Sequence, residues 1–245
     1  MSHPYTAIVV LSHNNVEVTK KFLELLFSRT KNFYLIMIDN GSTDSTVDYL
    51  ETKSYISEDN QNILLVYNQQ NLGVIGGRNQ GHALYSTLEN IPEYLCFLDN
   101  DQFVKEGWLD QHHDFMQKGK YDIVGIEAWL MNSAYKPVRI CKKPGDAFSY
   151  VGCGGMMAKK SVLDKIGLFD EQFNPAYFED PDLNFRAKEN GFSIGWNYSA
   201  KIDHFPHQTL GRDKNKMIYF FKSYEYFIKK WQGKKILPTR QNPIT

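Results

Sequence analysis

Asp99-Asn100-Asp101 sets two carboxylates one residue apart, directly after the apolar run Tyr94–Leu98. Carboxylates that close repel each other unless a cation or sugar hydroxyls satisfy them. Oxygen donors suit Mg²⁺ or Mn²⁺, ions that often share their shell with substrate phosphates. The alternative is an Asx turn with both side chains solvated. A second acidic run is Glu179-Asp180-Pro181-Asp182. There Asp180 suits an N-cap, Pro181 the first helical position and Asp182 the positive end of a helix.

The elements that must position these groups alternate along the first half of the chain. Apolar runs at Thr6–Leu11, Tyr34–Ile38, Ile63–Tyr67, Tyr94–Leu98 and Asp122–Ile126 predict strands. Between them, Glu17–Ser28, Ser45–Thr52, Gly77–Leu88 and Glu106–Gln117 predict helices. Asn14 with Glu17 resembles a capping box, and Phe22, Leu25, Leu26 and Arg29 follow the helical period. The alternation is that of βαβ units around a mostly parallel sheet, with strands apolar on both faces because helices cover both. Ligands bind such sheets beyond the carboxyl ends of the strands. Four strand ends there are polar: Ser12-His13-Asn14, Asp39–Asp44, Asn68 with Asn71 and Gly73, and Asp99–Asp101.

After about residue 128 the alternation stops. Val138–Cys141 and Phe148–Met157 read as strands, Ser161–Asp164 as a capping box opening a short helix, Pro181–Asn190 as a helix, and Lys214–Trp231 as the last helix. The expected organisation is one domain over 1–245. Its nucleotide-binding half is 1–101, its acceptor-side half 102–212, and 213–245 is a C-terminal helix and tail.

Composition bounds the rest. The 245 residues carry 28 Lys plus Arg against 28 Asp plus Glu, which argues against nucleic acid as a partner. The three cysteines, Cys96, Cys141 and Cys153, form neither a disulfide framework nor a zinc pattern, so a reducing, cytoplasmic setting is expected. The first residues, MSHPYTAIVV, do not read as a signal peptide, and no apolar run reaches the ~20 residues of a membrane span.

The motif set resembles family 2 of the glycosyltransferases, with the GT-A fold, and within it the bacterial rhamnosyltransferase-like branch. The matching stretches are Ile8–Asn14, Ile38–Asp44, Asn71-Leu72-Gly73, Gly77–Gly81, Leu98–Asp101, Gly152–Gly155, Phe178–Leu183 and His204. The resemblance implies an inverting transfer of sugar from a UDP- or dTDP-sugar to a hydroxyl of a glycan or lipid-linked acceptor. It places Ser12, Asn14, Asn71, Gly73, Gly77 and Arg78 along the nucleotide, and Asp39 on N3–H of a pyrimidine. Asp99 would bind ribose or metal. Asp101 and His204 would hold the Mn²⁺ or Mg²⁺, and Glu179-Asp180 would be the catalytic acidic pair, with Asp180 the base.

Gly154 and Gly155 would form a bare strand facing acceptor or sugar, or else pack tightly in the core. Trp129 and Trp196 would stack on a sugar ring or join the core. Arg78 would meet a phosphate or lie as a surface charge. His207 stands where relatives often have a small residue. The basic aromatic segment Met217–Trp231 would touch a membrane peripherally at its inner face, or pack against the domain or a second subunit in a homodimer. Two rivals are weighed against this reading. A sugar-phosphate nucleotidyltransferase needs a Gly-rich loop where Ser12-His13-Asn14-Asn15 stands, and the set Asp39, Asp99, Asp101 and Asp180 argues against a non-catalytic sugar-nucleotide or glycan-binding module.

Overall fold

A computed structural model describes residues 5–54, 62–205, 214–234 and 238–241. His207 lies outside the described residues. The first half runs β1 (Thr6–Ser12), α1 (Val16–Arg29), β2 (Phe33–Asp39), α2 (Thr46–Thr52), β3 (Ile63–Tyr67), α3 (Gly73–Tyr85), β4 (Tyr94–Asp99), β5 (Gln102–Val104) and α4 (Trp108–Gly119). Then follow β6 (Ile123–Gly125), β7 (Ala128–Met131), β8 (Pro137–Ile140), β9 (Tyr150–Val151), β10 (Met156–Lys159) and α5 (Lys160–Ile166). The described part closes with α6 (Glu179–Glu189), β11 (Ile194–Trp196), β12 (Ile202–His204) and α7 (Lys216–Trp231).

The central sheet has the order β11-β6-β10-β4-β1-β2-β3. All its pairings are parallel except those of β10, which runs antiparallel to β4 and β6. Successive residues of β1 point to opposite faces, so Val9 joins one core while Ile8 and Val10 join the other. The second core takes Phe22, Leu23 and Leu26 of α1 and Trp108 and Phe115 of α4. The first takes Ile75 of α3, Leu183 and Phe185 of α6, and Phe227 and Trp231 of α7.

Register sets the site. Ser12 pairs with Asp39 on one side of β1, and Leu11 pairs with Asp99 on the other. Both carboxylates therefore stand at the same edge of the sheet. A two-stranded ladder, β5 with β12, pairs Gln102 with His204 and brings the histidine beside the Asp99–Asp101 turn.

Several local expectations are corrected. Phe148–Met157 is not one strand: β9 belongs to a three-stranded sheet with β7 and β8, and β10 to the central sheet. The Gly152–Gly155 stretch between them is a turn, with Gly155 at φ +76°. α3 begins at Gly73 rather than Gly77, because Asn71 Oδ1 accepts the Gly73 N–H at 2.8 Å and starts the helix earlier. Asn14 makes no capping box; the Val16 N–H instead donates to Asp44 Oδ2 from the neighbouring loop. α5 has no side-chain cap, and Lys160 pairs with Asp164 along it. Asp180 is not an N-cap either, since Phe178 holds that position at φ 66° and Asp180 lies inside the first turn of α6.

α7 is fastened to the domain. Trp231 Nε1 donates to Asp182 Oδ1 at 2.9 Å, and Lys230 Nζ lies 2.8 Å from the same oxygen. Ser223 Oγ donates to the Ala176 carbonyl at 3.0 Å. Met217, Ile218 and Phe221 on its first turns stay exposed. Trp196 is buried and donates its indole N–H to the Ile126 carbonyl, so it is a core residue and does not stack on a ligand. No helix among the described residues is long and apolar enough to cross a membrane.

Candidate active site

At the β2 edge the polar residues are committed to one another. Asp39 is 1% exposed and accepts from the Ser42 N–H at 2.8 Å and from Ser42 Oγ. It thus has a partner three residues on, which its sequence setting did not announce. Ser12 is buried and shares a hydrogen bond with Thr19. Asn14 Oδ1 accepts the Thr43 N–H at 2.7 Å, clamping the first loop to the second. Asn40 binds the third: its Oδ1 accepts the Leu72 N–H and its Nδ2 donates to Asn71 Oδ1. Gly77 is required by packing, as a Cβ there would lie 2.9 Å from the Leu11 side chain. A Cβ on Gly73 would lie 2.6 Å from Asn174 Oδ1.

Arg78 is neither exposed nor free to wander. It is 4% exposed, and its Nη2 lies 2.7 Å from Asp99 Oδ1. Burial acts to lower the guanidinium's pKa, but the negative field of Asp99, Asp180 and Glu179 outweighs it and raises the pKa further above its ordinary value. Gly154 faces the same carboxylate, where a Cβ would come 2.7 Å from Asp99 Oδ2 and 2.8 Å from Gln102 Nε2. The bare backbone at Gly154 therefore admits Asp99 itself. Gly155 packs against Ile126. Trp129 is half-buried on β7 and packs against the main core.

Asp99, Asp101 and His204 each offer one ligand atom, and the three atoms lie within 4.8 Å of one another. His204 Nε2 is 3.7 Å from Asp101 Oδ1, too far for a hydrogen bond. Two donors each about 2.1 Å from a cation lie roughly 3–4 Å apart, so the spacing fits an ion between them. Two carboxylates and an imidazole are a donor set suited to Mn²⁺. The other ring nitrogen, His204 Nδ1, is 2.7 Å from Glu127 Oε1. Burial acts to lower the histidine's pKa, but the hydrogen bond and charge of Glu127 raise it on balance.

Glu179 and Asp180 open α6 beside the glycine turn. A Cβ on Gly152 would lie 3.8 Å from Asp180 Oδ2. Glu179 Oε2 and Asp180 Oδ1 are buried and have no hydrogen-bond partner among the described residues. Burial pushes both carboxyls up; the charge of Asp180 raises Glu179 further, and those of Asp99 and Glu127 add to the rise at Asp180. The positive charge of Arg78 opposes the shift at both.

Glu127 and Gln102 were not among the expected site residues. Gln102 is fully buried, and its Oε1 accepts the Asp99 N–H at 2.9 Å, closing the turn that presents both aspartates. Its proximity to Asp101 was the available signal. Glu127 follows a strand end, which was its only signal. A cavity of about 510 Å³ next to His204 is lined by Glu127, Asn197, Tyr198 and Phe205 among others.

The chain is 28% identical over 151 residues to an uncharacterised glycosyltransferase of Haemophilus influenzae, covering 58% of this chain and 44% of that one. It is 26% identical over 264 residues to the minor teichoic acid biosynthesis protein GgaB of Bacillus subtilis, covering 93% of this chain and 28% of that one. It therefore spans less than half the length of either relative. Its fold is that of GalNAc-T7, solved with UDP, GalNAc and Mn²⁺, at a TM-score of 0.73 and 13% identity over 94% of this chain and 48% of the other. The architecture is thus the GT-A fold. The family model described as glycosyl transferase family 2 matches residues 7–162, and the chain belongs to that family.

Proposed function

We propose that this chain is an inverting glycosyltransferase that moves a sugar from a UDP- or dTDP-sugar to a hydroxyl of a glycan or lipid-linked acceptor. The observation that carries the reading is a convergence at one sheet edge. An ion-sized cluster of Asp99, Asp101 and His204 stands there with the buried Arg78 and the raised carboxyl pair Glu179 and Asp180. The similarity to GalNAc-T7, solved with UDP and Mn²⁺, supports the donor class and the ion. The motif set favours the rhamnosyltransferase-like branch as the finer placement.

Asp180 is the base. Its Oδ1 lacks a hydrogen-bond partner in the protein, so it is available to accept the proton of the attacking hydroxyl. The acceptor oxygen bonds to the anomeric carbon as the bond to the diphosphate oxygen breaks, and the electron pair leaves with the nucleoside diphosphate. Arg78 supplies fixed positive charge beside that departing group. Asp99, Asp101 and His204 hold a divalent cation, which when bound neutralises phosphate charge. Asp39 reads the pyrimidine, while Asn14, Asn40 and Asn71 tie the nucleotide-side loops into one piece. The division into a donor half, 1–101, and an acceptor half, 102–212, fits this arrangement, with Asp180 and His204 reaching back to the donor edge.

A nucleotide-sugar panel tests the reading. The protein is incubated with UDP- and dTDP-sugars and Mn²⁺, and release of nucleoside diphosphate is followed. At least one donor is expected to turn over, with purine-linked sugars inert. Binding of a donor without release or transfer on any acceptor offered would favour a sugar-nucleotide-binding module instead.

A further inference from the structure

The carboxylate of Glu127 sits on the far side of the His204 ring from the aspartates. Its Oε1 is 2.7 Å from His204 Nδ1, while Nε2 faces Asp101. A carboxylate can only accept when ionised, so Nδ1 must carry the proton in this contact. A neutral imidazole protonated at Nδ1 has its lone pair on Nε2. Nε2 at 3.7 Å from Asp101 Oδ1 is too far to be donating a hydrogen to it.

We propose that Glu127 is a positioning residue that holds His204 in the tautomer whose Nε2 lone pair faces Asp99 and Asp101, ready to ligate a divalent cation. This rests on the metal reading given above. Glu127 does not belong to the three-residue ligand cluster among the described residues, so it acts through the ring. Its own placement is firm. It lies between β6 and β7, and its carbonyl accepts the Gly152 N–H at 2.9 Å, which ties it to the glycine turn beside Asp180. A carboxylate behind a ligating histidine fixes ring orientation and raises the basicity of the ligating nitrogen. Without it the ring is free to rotate and to place a proton toward the aspartates.

The test uses the whole chain with Mn²⁺ as probe. Free Mn²⁺ is titrated by electron paramagnetic resonance, alone and with UDP or dTDP, for the wild type, Glu127→Gln and Glu127→Ala. Long-range proton–nitrogen NMR of the metal-free proteins reports which His204 nitrogen carries hydrogen. At a pH alkaline enough for the ring to be neutral, the wild type is expected to show protonated Nδ1 and bare Nε2. Glu127→Ala is expected to weaken Mn²⁺ binding roughly 10–100-fold and to lose the tautomer bias. Glu127→Gln keeps an oxygen acceptor of the same shape and should lose less, which separates positioning from misfolding. A neutral wild-type His204 ring protonated at Nε2, or Glu127→Ala binding Mn²⁺ as tightly as wild type, overturns the proposal. A wild type that binds no Mn²⁺ overturns the metal reading and this role together.

Discussion

Arg78 Nη2 lies 2.7 Å from Asp99 Oδ1, joining the first turns of α3 to the end of β4 inside the sheet's carboxyl edge. The charge of the buried guanidinium bears on three carboxylates, those of Asp99, Glu179 and Asp180. Replacing it strands them together. Arg78→Met should cost on the order of 3 kcal/mol, in the range for removing one member of a buried pair. It should also move the acid limb of any pH–rate profile upward, because Asp180 loses the charge that favours its ionised form. A thermal melt and a pH profile of the variant check both.

The acidic pair predicts the pH dependence of the wild type. A base must be deprotonated, and burial raises both carboxyls, so activity should fall as pH drops through a midpoint above the ordinary carboxylate value of about 4. An acid limb centred near 4 would contradict the burial of the pair.

The same shift has a stability consequence of opposite sense. A carboxyl whose folded pKa is raised binds more protons folded than unfolded, so stability is lost as pH rises from its unfolded value through its folded one. Glu179→Gln removes that loss. At neutral pH its melting temperature should exceed wild type, by about 2–4 °C for each kcal/mol regained at this size. At pH 4 the two should melt together.

Asp180→Asn separates chemistry from architecture. Because Phe178 and not Asp180 occupies the N-cap of α6, the amide should leave the helix intact, and by the same linkage the melt at neutral pH should be no lower than wild type. Turnover should drop ~10²-fold or more, the range for a missing general base. Full loss in Glu179→Gln with Asp180→Asn active would move the base to Glu179.

Asp182, two residues on, links this helix to the C-terminal one. It is fully buried and meets Arg186, Lys230 and Trp231. Asp182→Ala should cost on the order of 3 kcal/mol by removing the buried acceptor shared by Arg186, Lys230 and Trp231, although Lys230 keeps Asp170 and Arg186 keeps the Ile166 and Leu168 carbonyls. Chemical denaturation measures this directly.

The strand-end placement of Asp99 and Asp101 was legible because Tyr94–Leu98 is too apolar to be anything but buried. The same logic found β1 and β2. What was not legible depended on contacts distant in sequence. The start of α3 was missed because Asn71 and Asn40 satisfy its first turn from two other loops. The N-cap assigned to Asp180 failed because Phe178 adopts a left-handed conformation that its type disfavours. Glu127 carries no motif, and only the β5–β12 pairing brings His204 to it. The aromatics of α7 surround the helix, and Phe227 and Trp231 pack on Phe185 of α6 in a way that no periodicity announces.

Calorimetry of UDP and dTDP binding, with Mn²⁺ and with excess chelator, on wild type and Asp101→Ala, tests the central claim most directly. The proposed site predicts that one of the two diphosphates binds the wild type with Mn²⁺, and that chelator or Asp101→Ala weakens binding at least about tenfold while the melt stays unchanged, a loss of ~1.4 kcal/mol or more. Affinity in chelator or in Asp101→Ala equal to that of the wild type with Mn²⁺, or no binding of either diphosphate by the wild type, would contradict it.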